Sequence, residues 1–215
     1  MNKLNIKNKI VKAEQALYEA DGFDYTANVL LNLYNQDCKK RTSIQFKKYI
    51  KNGGSVRPLS NIGIQASAVM TQSFSMELIL KSLLIIHCEG SHYGHKLDVL
   101  FNKLPDEVKK SIQNIYKNNK NIVNERKNIE KLKSTATTDY EKELCNIPLP
   151  PLSVAPLLKM HKDSFVEWRY DYENLSFNNN ERKSKTMYFS AMKTLYEILR
   201  EHSISGIEKL KLEVS

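Results

Sequence analysis

Glycine and proline are scarce in this chain. Its 215 residues include 7 Gly and 6 Pro, together about half the usual share. No proline precedes Pro58, and Pro148, Pro150 and Pro151 crowd into one stretch. So few chain breakers exclude a fold of many short strands joined by tight turns and favour long helices. Cysteine is scarce too: Cys38, Cys88 and Cys145 are an odd number at wide spacing with no Cys-x-x-Cys, which excludes a disulfide framework and fits reduced structural thiols. The opening MNKLNIKNKI has no apolar core of signal-peptide length, which predicts no secretory leader. The longest apolar stretch, Leu78 to Ile86, is interrupted by Lys81 and Ser82 and is too short to span a bilayer, so a cytoplasmic protein with no membrane partner is expected. Phosphate-loop, GxGxxG, HExxH and GxSxG signatures are absent, which leaves nucleotide-dependent and serine-hydrolase chemistry unsupported and implies no cofactor.

What is present is charge and helical periodicity. The net charge is +9, and residues 1–60 hold 11 basic and 5 acidic groups, so the excess lies towards the N-terminal end. A localised positive field suits a polyanion, although a Lys/Asn-rich surface also serves solubility alone. Ile6, Ile10, Ala13 and Leu17 predict a first helix ending at Asp21-Gly22, with Thr26 capping a second that carries Val29, Leu30, Leu33 and Tyr34. Ser60 is the expected cap of the strongest helix, ending near Gly90. Its apolar residues spread beyond one stripe from Met76 to Ile86, which places it at the centre. Pro105-Asp-Glu opens a helix reaching Lys117. Residues 118–152 read as a polar insertion, either a helical arm or a mobile segment, followed by a Pro-rich linker. Ser153 and Pro156 then open a helix with Leu157, Leu158, His161, Phe165, Trp168 and Tyr172 on one face. A last helix is expected from Lys185 to His202. The fold class is all-α, an up-and-down bundle in one domain over residues 1–215.

Five groups of residues are candidates for chemistry. Glu77 and Lys81 are four apart within the most apolar helix, where charges need a partner or a solvated cleft; the plain alternative is a helix-surface pair. His95, in SHYGHKLDVL, follows Gly94 and opens the next apolar run, suited to proton transfer or to capping. His87, Cys88, His92 and His95 match no compact zinc pattern, so no metal is assigned. In SFVEWRYDYEN, Trp168 is a packing or base-stacking surface, while Arg169 and Glu173 either pair with each other or meet phosphate and ligand. Lys40, Lys47 and Lys51, interleaved with Phe46 and Tyr49, form either a solvated face or a nucleic-acid patch that reads phosphates without sequence preference.

The order MELILKSLLII, GHKLDVLFNKLPDEVKKSI and FVEWRYDYE before a final amphipathic helix resembles the HEPN superfamily of small helical bundles, over roughly residues 60–117 and 155–202. The resemblance implies an RNA- or nucleotide-binding protein, in a prokaryotic defence or toxin–antitoxin setting. It also implies homodimers and, in some members, a partner nucleotidyltransferase or other defence protein. Many members resemble metal-independent ribonucleases in which an Arg, four to six residues and a His hold phosphate and move a proton. None of Arg41, Arg57, Arg126, Arg169, Arg182 and Arg200 is followed by a His at that spacing. The first reading is therefore binding without that chemistry. The second is a metal-independent endoribonuclease with a rearranged site using His95 and Arg169 beside Glu77 and Lys81. The third is a non-catalytic interaction partner.

Overall fold

A computed structural model describes residues 3–43, 59–89, 92–135, 149–162 and 188–215. Among these the chain is all-α, with no strand. It consists of α1 (Lys3–Ser43), α2 (Leu59–His87), α3 (Leu97–Asn102), α4 (Asp106–Lys117), α5 (Lys120–Thr135), α6 (Val154–Met160) and α7 (Phe189–Val214).

Three long helices form the frame. Small residues on the inner face of α1, Ala13, Ala20 and Ala27, are fully buried and let α2 approach closely. Hydroxyls of α2 then reach the backbone of α1: Ser82 Oγ donates to the Ala13 carbonyl at 3.0 Å and Ser75 Oγ to that of Ala20 at 2.9 Å. Numbers fall along α2 as they rise along α1, so the two run antiparallel. Ser82 also bonds Ser203, and Gly206 of α7 lies against Ile86. These pairs rise together, so α7 runs parallel to α2. A Cβ at Gly206 would stand 2.8 Å from Ile86 Cγ2, so glycine is what allows this approach.

The expected central position of α2 holds. Met76, Ile79, Leu80, Leu83 and Leu84 are fully buried. One window, Ile64–His87, has the length and apolarity of a membrane span, but 67% of it is buried inside the protein, as a core helix requires. Leu97, Leu100 and Phe101 of α3, Ile112 and Tyr116 of α4, Ile122 of α5, Leu157 and Leu158 of α6 and Leu195 and Leu199 of α7 complete the main core.

Five boundaries differ from the sequence expectation: Ser60, the expected cap of α2, already lies within that helix, α6 ends at Met160, before His161, and three others differ as follows. No break occurs at Asp21-Gly22, and α1 is continuous through Ser43. Thr26 caps nothing; its hydroxyl back-bonds to the Gly22 carbonyl at 2.9 Å within the helix. A helical glycine costs about 1 kcal/mol relative to alanine, and tertiary contacts on both sides of Gly22 outweigh it. The last helix does not end at His202. It continues to Val214, because Ile207 and Leu210 bury against Ile6, Ile10 and Ile86. The central helix stops at His87, three residues early. By contrast, Pro105 does precede α4, and Ser153 does precede α6. Of the two readings for the polar insertion, a helical arm holds for Lys120–Thr135. The linker is stapled to the neighbouring helices: Tyr116 Oη donates to Pro151 O, Gln113 Nε2 to Leu152 O and Arg126 to Pro150 O. Gln113 Oε1 also accepts from the first backbone N–H of α6 and from the Ser153 hydroxyl.

Candidate functional site

The face of α2 turned away from α1 carries the first pair of candidate residues. Ser75 faces α1, and Glu77, two positions on, lies about 200° further round the helix. Its side chain is 4% exposed among apolar neighbours. A carboxylate removed from water needs compensating charge or hydrogen bonds. Lys81, one turn on, supplies one with Nζ 2.6 Å from Glu77 Oε1. The second comes from the segment between α2 and α3. Gly94 adopts φ +119°, a backbone conformation that side-chain-bearing residues avoid. His95 follows, and its Nδ1 lies 2.9 Å from the same Oε1.

Glu77, Lys81 and His95 thus meet at one oxygen. Arg169, Trp168 and Glu173, the remaining predicted members, lie outside the described residues, as do Lys47 and Lys51. Lys40 belongs to the last turns of α1, with its side chain outside the described set.

The geometry defines what the imidazole offers. Glu77 Oε1 is a carboxylate acceptor, so His95 Nδ1 carries a proton and donates to it; Nε2 then accepts a proton in the neutral ring and donates to a phosphate oxygen in the imidazolium. Nε2 points away from the carboxylate. The His95 side chain is 78% exposed, so Nε2 is available to a ligand from solvent. A carboxylate that fixes one ring nitrogen and leaves the other free is the arrangement that orients a proton-transfer or phosphate-binding histidine.

The C-terminal end of α2 is basic. Burial, together with nearby Lys9, Lys103 and Lys12, holds His92 below the ordinary imidazole range; His92 belongs to the same connection as His95. Burial also lowers His87, with help from His202, Lys209 and Lys9. Burial and Lys209 lower His202. Lysines of α1 and α7 and the lysine after α3 therefore converge near the end of α2. Lys103 also donates to the Tyr93 carbonyl at 3.1 Å, which tethers the connection. Cys88 bonds the Lys103 carbonyl, and burial pushes its thiol up, away from nucleophilic use. Among the described residues no group of three His, Cys, Asp or Glu could hold a metal ion.

Sequence reasoning missed the other polar cluster altogether. Arg200 of α7 grips Asp21 of α1 with two bonds, Nε–Oδ1 at 2.7 Å and Nη2–Oδ2 at 3.0 Å, and Tyr196 Oη donates to Asp21 Oδ1 at 2.6 Å. One turn on, Asp24 accepts from Lys193, Gln72 and Asn28. Partial burial pushes the Asp21 carboxyl up, but Arg200 and Tyr196 outweigh it and hold the group below the usual range. The available signal was Asp24 sharing the Ala20–Ala27 face of α1, where a charge has no reason to be unless it is answered. A depression of about 440 Å³ lined by Asn121, Asn124, Glu125, Asn128, Ile129 and Ser190 lies on α5 and α7, and contains none of the predicted site residues.

No family model, no curated protein and no solved structure matches this chain.

Proposed function

We propose that this chain is a HEPN-like RNA- or nucleotide-binding protein whose ligand phosphate is met by His95. The observation that carries the reading is His95 itself, held through Nδ1 by buried Glu77 and offering Nε2 to solvent. The lysines grouped near His92 and His87 supply the field that draws a polyanion to that end of the molecule. A place in prokaryotic defence or a toxin–antitoxin pair, with a nucleotidyltransferase or other defence protein as partner, follows from the HEPN resemblance. The test is fluorescence polarisation of the full chain with labelled single-stranded RNA and with a labelled nucleotide across a salt series. Binding should weaken steeply with salt, and His95→Ala should weaken it about tenfold, the loss of one charge-assisted contact. Absence of salt-dependent binding to both probes rejects the proposal.

The same geometry favours a second reading, metal-independent RNA cleavage. With Nδ1 anchored, Nε2 takes the proton of a ribose 2′-hydroxyl. The freed oxygen attacks the adjacent phosphorus, the bond to the 5′-oxygen of the next nucleotide breaks, that oxygen takes a proton from water as it leaves, and Nε2 returns its proton to the solvent. Its products are a 2′,3′-cyclic phosphate and a 5′-hydroxyl. Cleavage in the presence of chelator, lost in His95→Ala, supports it; equal cleavage by wild type and variant removes it.

A further inference from the structure

The connection between α2 and α3 carries more than His95. Tyr93, two residues before it, is 85% exposed, more than any other large hydrophobic side chain among the described residues. The backbone beneath it is pinned. Lys103 Nζ donates to the Tyr93 carbonyl at 3.1 Å, Gly94 takes φ +119°, and His95 Nδ1 lies 2.9 Å from the buried carboxylate of Glu77. An aromatic side chain on a pinned backbone has little conformational freedom left to lose when a ligand arrives, and tyrosine has few side-chain torsions to order. Cations surround the connection. Lys96 follows His95 and is exposed, Lys103 holds the Tyr93 carbonyl, and Lys81 shares Glu77 Oε1 with His95.

We infer that Tyr93 stacks on an unpaired nucleobase beside the phosphate that His95 meets. This role rests on the reading of His95 as a phosphate contact and adds what that reading lacks, a surface that tells a base-bearing ligand from bare phosphate. Residues two apart along a chain have Cα atoms within about 7 Å of each other. That separation is comparable to the distance between a phosphate and the base of its own nucleotide, so one nucleotide unit can engage both side chains. Every base has a π-face, so stacking of this kind gives no sequence preference. It does discriminate against ligands that hide or lack the face: a duplex turns its bases against one another, and an abasic strand has none. Exposed tyrosines also serve protein interfaces. The lysines around this connection favour a polyanion instead.

Fluorescence polarisation of the full chain with a labelled single-stranded RNA and with a labelled abasic strand of equal phosphate count tests this. Wild type should bind the base-bearing strand about tenfold more tightly than the abasic one. Tyr93→Ala should lose that factor on the base-bearing strand, leave binding of the abasic strand and of a duplex unaffected, and keep the helical circular dichroism spectrum, since the side chain is on the surface. Tyr93→Phe retains the ring and should bind as wild type does. His95→Ala should weaken both single strands alike, because it acts on phosphate. Equal affinity of wild type for the two single strands, a base-bearing strand indifferent to Tyr93→Ala, or a Tyr93→Phe variant as weak as Tyr93→Ala overturns the inference. The phosphate reading outlives any of these three results if salt-dependent binding is still weakened by His95→Ala. Absence of binding to either strand defeats both.

Discussion

Two carboxylate clusters divide this molecule's polar interior, and they are built to opposite plans. Asp21 and Asp24 sit between α1 and α7, where Arg200, Tyr196, Lys193, Gln72 and Asn28 answer them from the three long helices. Each carboxylate is met by side chains of the fold itself, and the cluster ties together two antiparallel helices. Glu77 is buried as deeply as Asp24, yet one of its two partners is a histidine that stands mostly in solvent. The first cluster closes on itself. The second uses a buried charge to hold an exposed ring. A group whose exposure contributes nothing to packing, but whose orientation is fixed from below, is where function is to be sought.

The largest test of that contrast removes the centre of the closed cluster. Asp24→Ala leaves the buried Gln72 amide without its acceptor and Lys193 with only the more distant Glu197, and should cost about 3 kcal/mol, read as a lowered urea midpoint. Replacing the pair together, Asp24→Leu with Lys193→Met, should recover most of the loss, because no lone charge remains. Acid should loosen the same cluster. Arg200 and Tyr196 hold Asp21 low, so its contribution is complete above the ordinary carboxylate range and disappears as pH falls through the lowered value.

A third buried ionisable group behaves in yet another way. His161 is 2% exposed, and among the described residues its Nε2 has no hydrogen-bond partner. Burial lowers it from 6.5 to about 4. The folded state therefore takes up its proton later than the unfolded state does. Stability from this position is complete above pH 6.5 and falls progressively towards pH 4. The decline amounts to about 3 kcal/mol. Unfolding midpoints measured between those limits should slope downward with acid in wild type and flatten in His161→Phe.

The open cluster should be less sensitive. Glu77→Gln keeps the shape and an acceptor but leaves half-buried Lys81 without a counter-charge, at about 2 kcal/mol. His95→Ala, the smallest effect on the fold, should shift stability by no more than about 0.5 kcal/mol in the same urea titration, as for an exposed side chain. If His95→Ala destabilises as much as Asp24→Ala, the two clusters share one structural purpose and the site reading loses its basis.

The molecule also shows how far local pattern carries. The helix from Pro105 onward announced itself, since its proline and two acids satisfy a helix start from their own positions. The central place of α2 was equally evident, because a helix apolar on several sides has nowhere else to go. The meeting of Glu77 with Lys81 follows from a spacing of four. That of Glu77 with His95 does not, for it depends on Gly94 folding the connection back across α2. The boundaries failed where long-range packing overrode a local signal. Asp21-Gly22 reads as a stop until Arg200 takes the aspartate. Residues after His202 read as a tail until Gly206 brings α7 against Ile86.

Composition and periodicity alone determined that this chain is helical, which helix is innermost and which charges lie awkwardly within it. Those are properties of neighbours along the chain, set by a repeat of 3.6 residues and by burial of apolar surface. Which carboxylates are closed off and which one presents a histidine was decided only by tertiary structure. Partners more than a hundred residues apart, such as Asp21 and Arg200, leave no trace in local spacing, and only helix packing brings them within hydrogen-bonding reach.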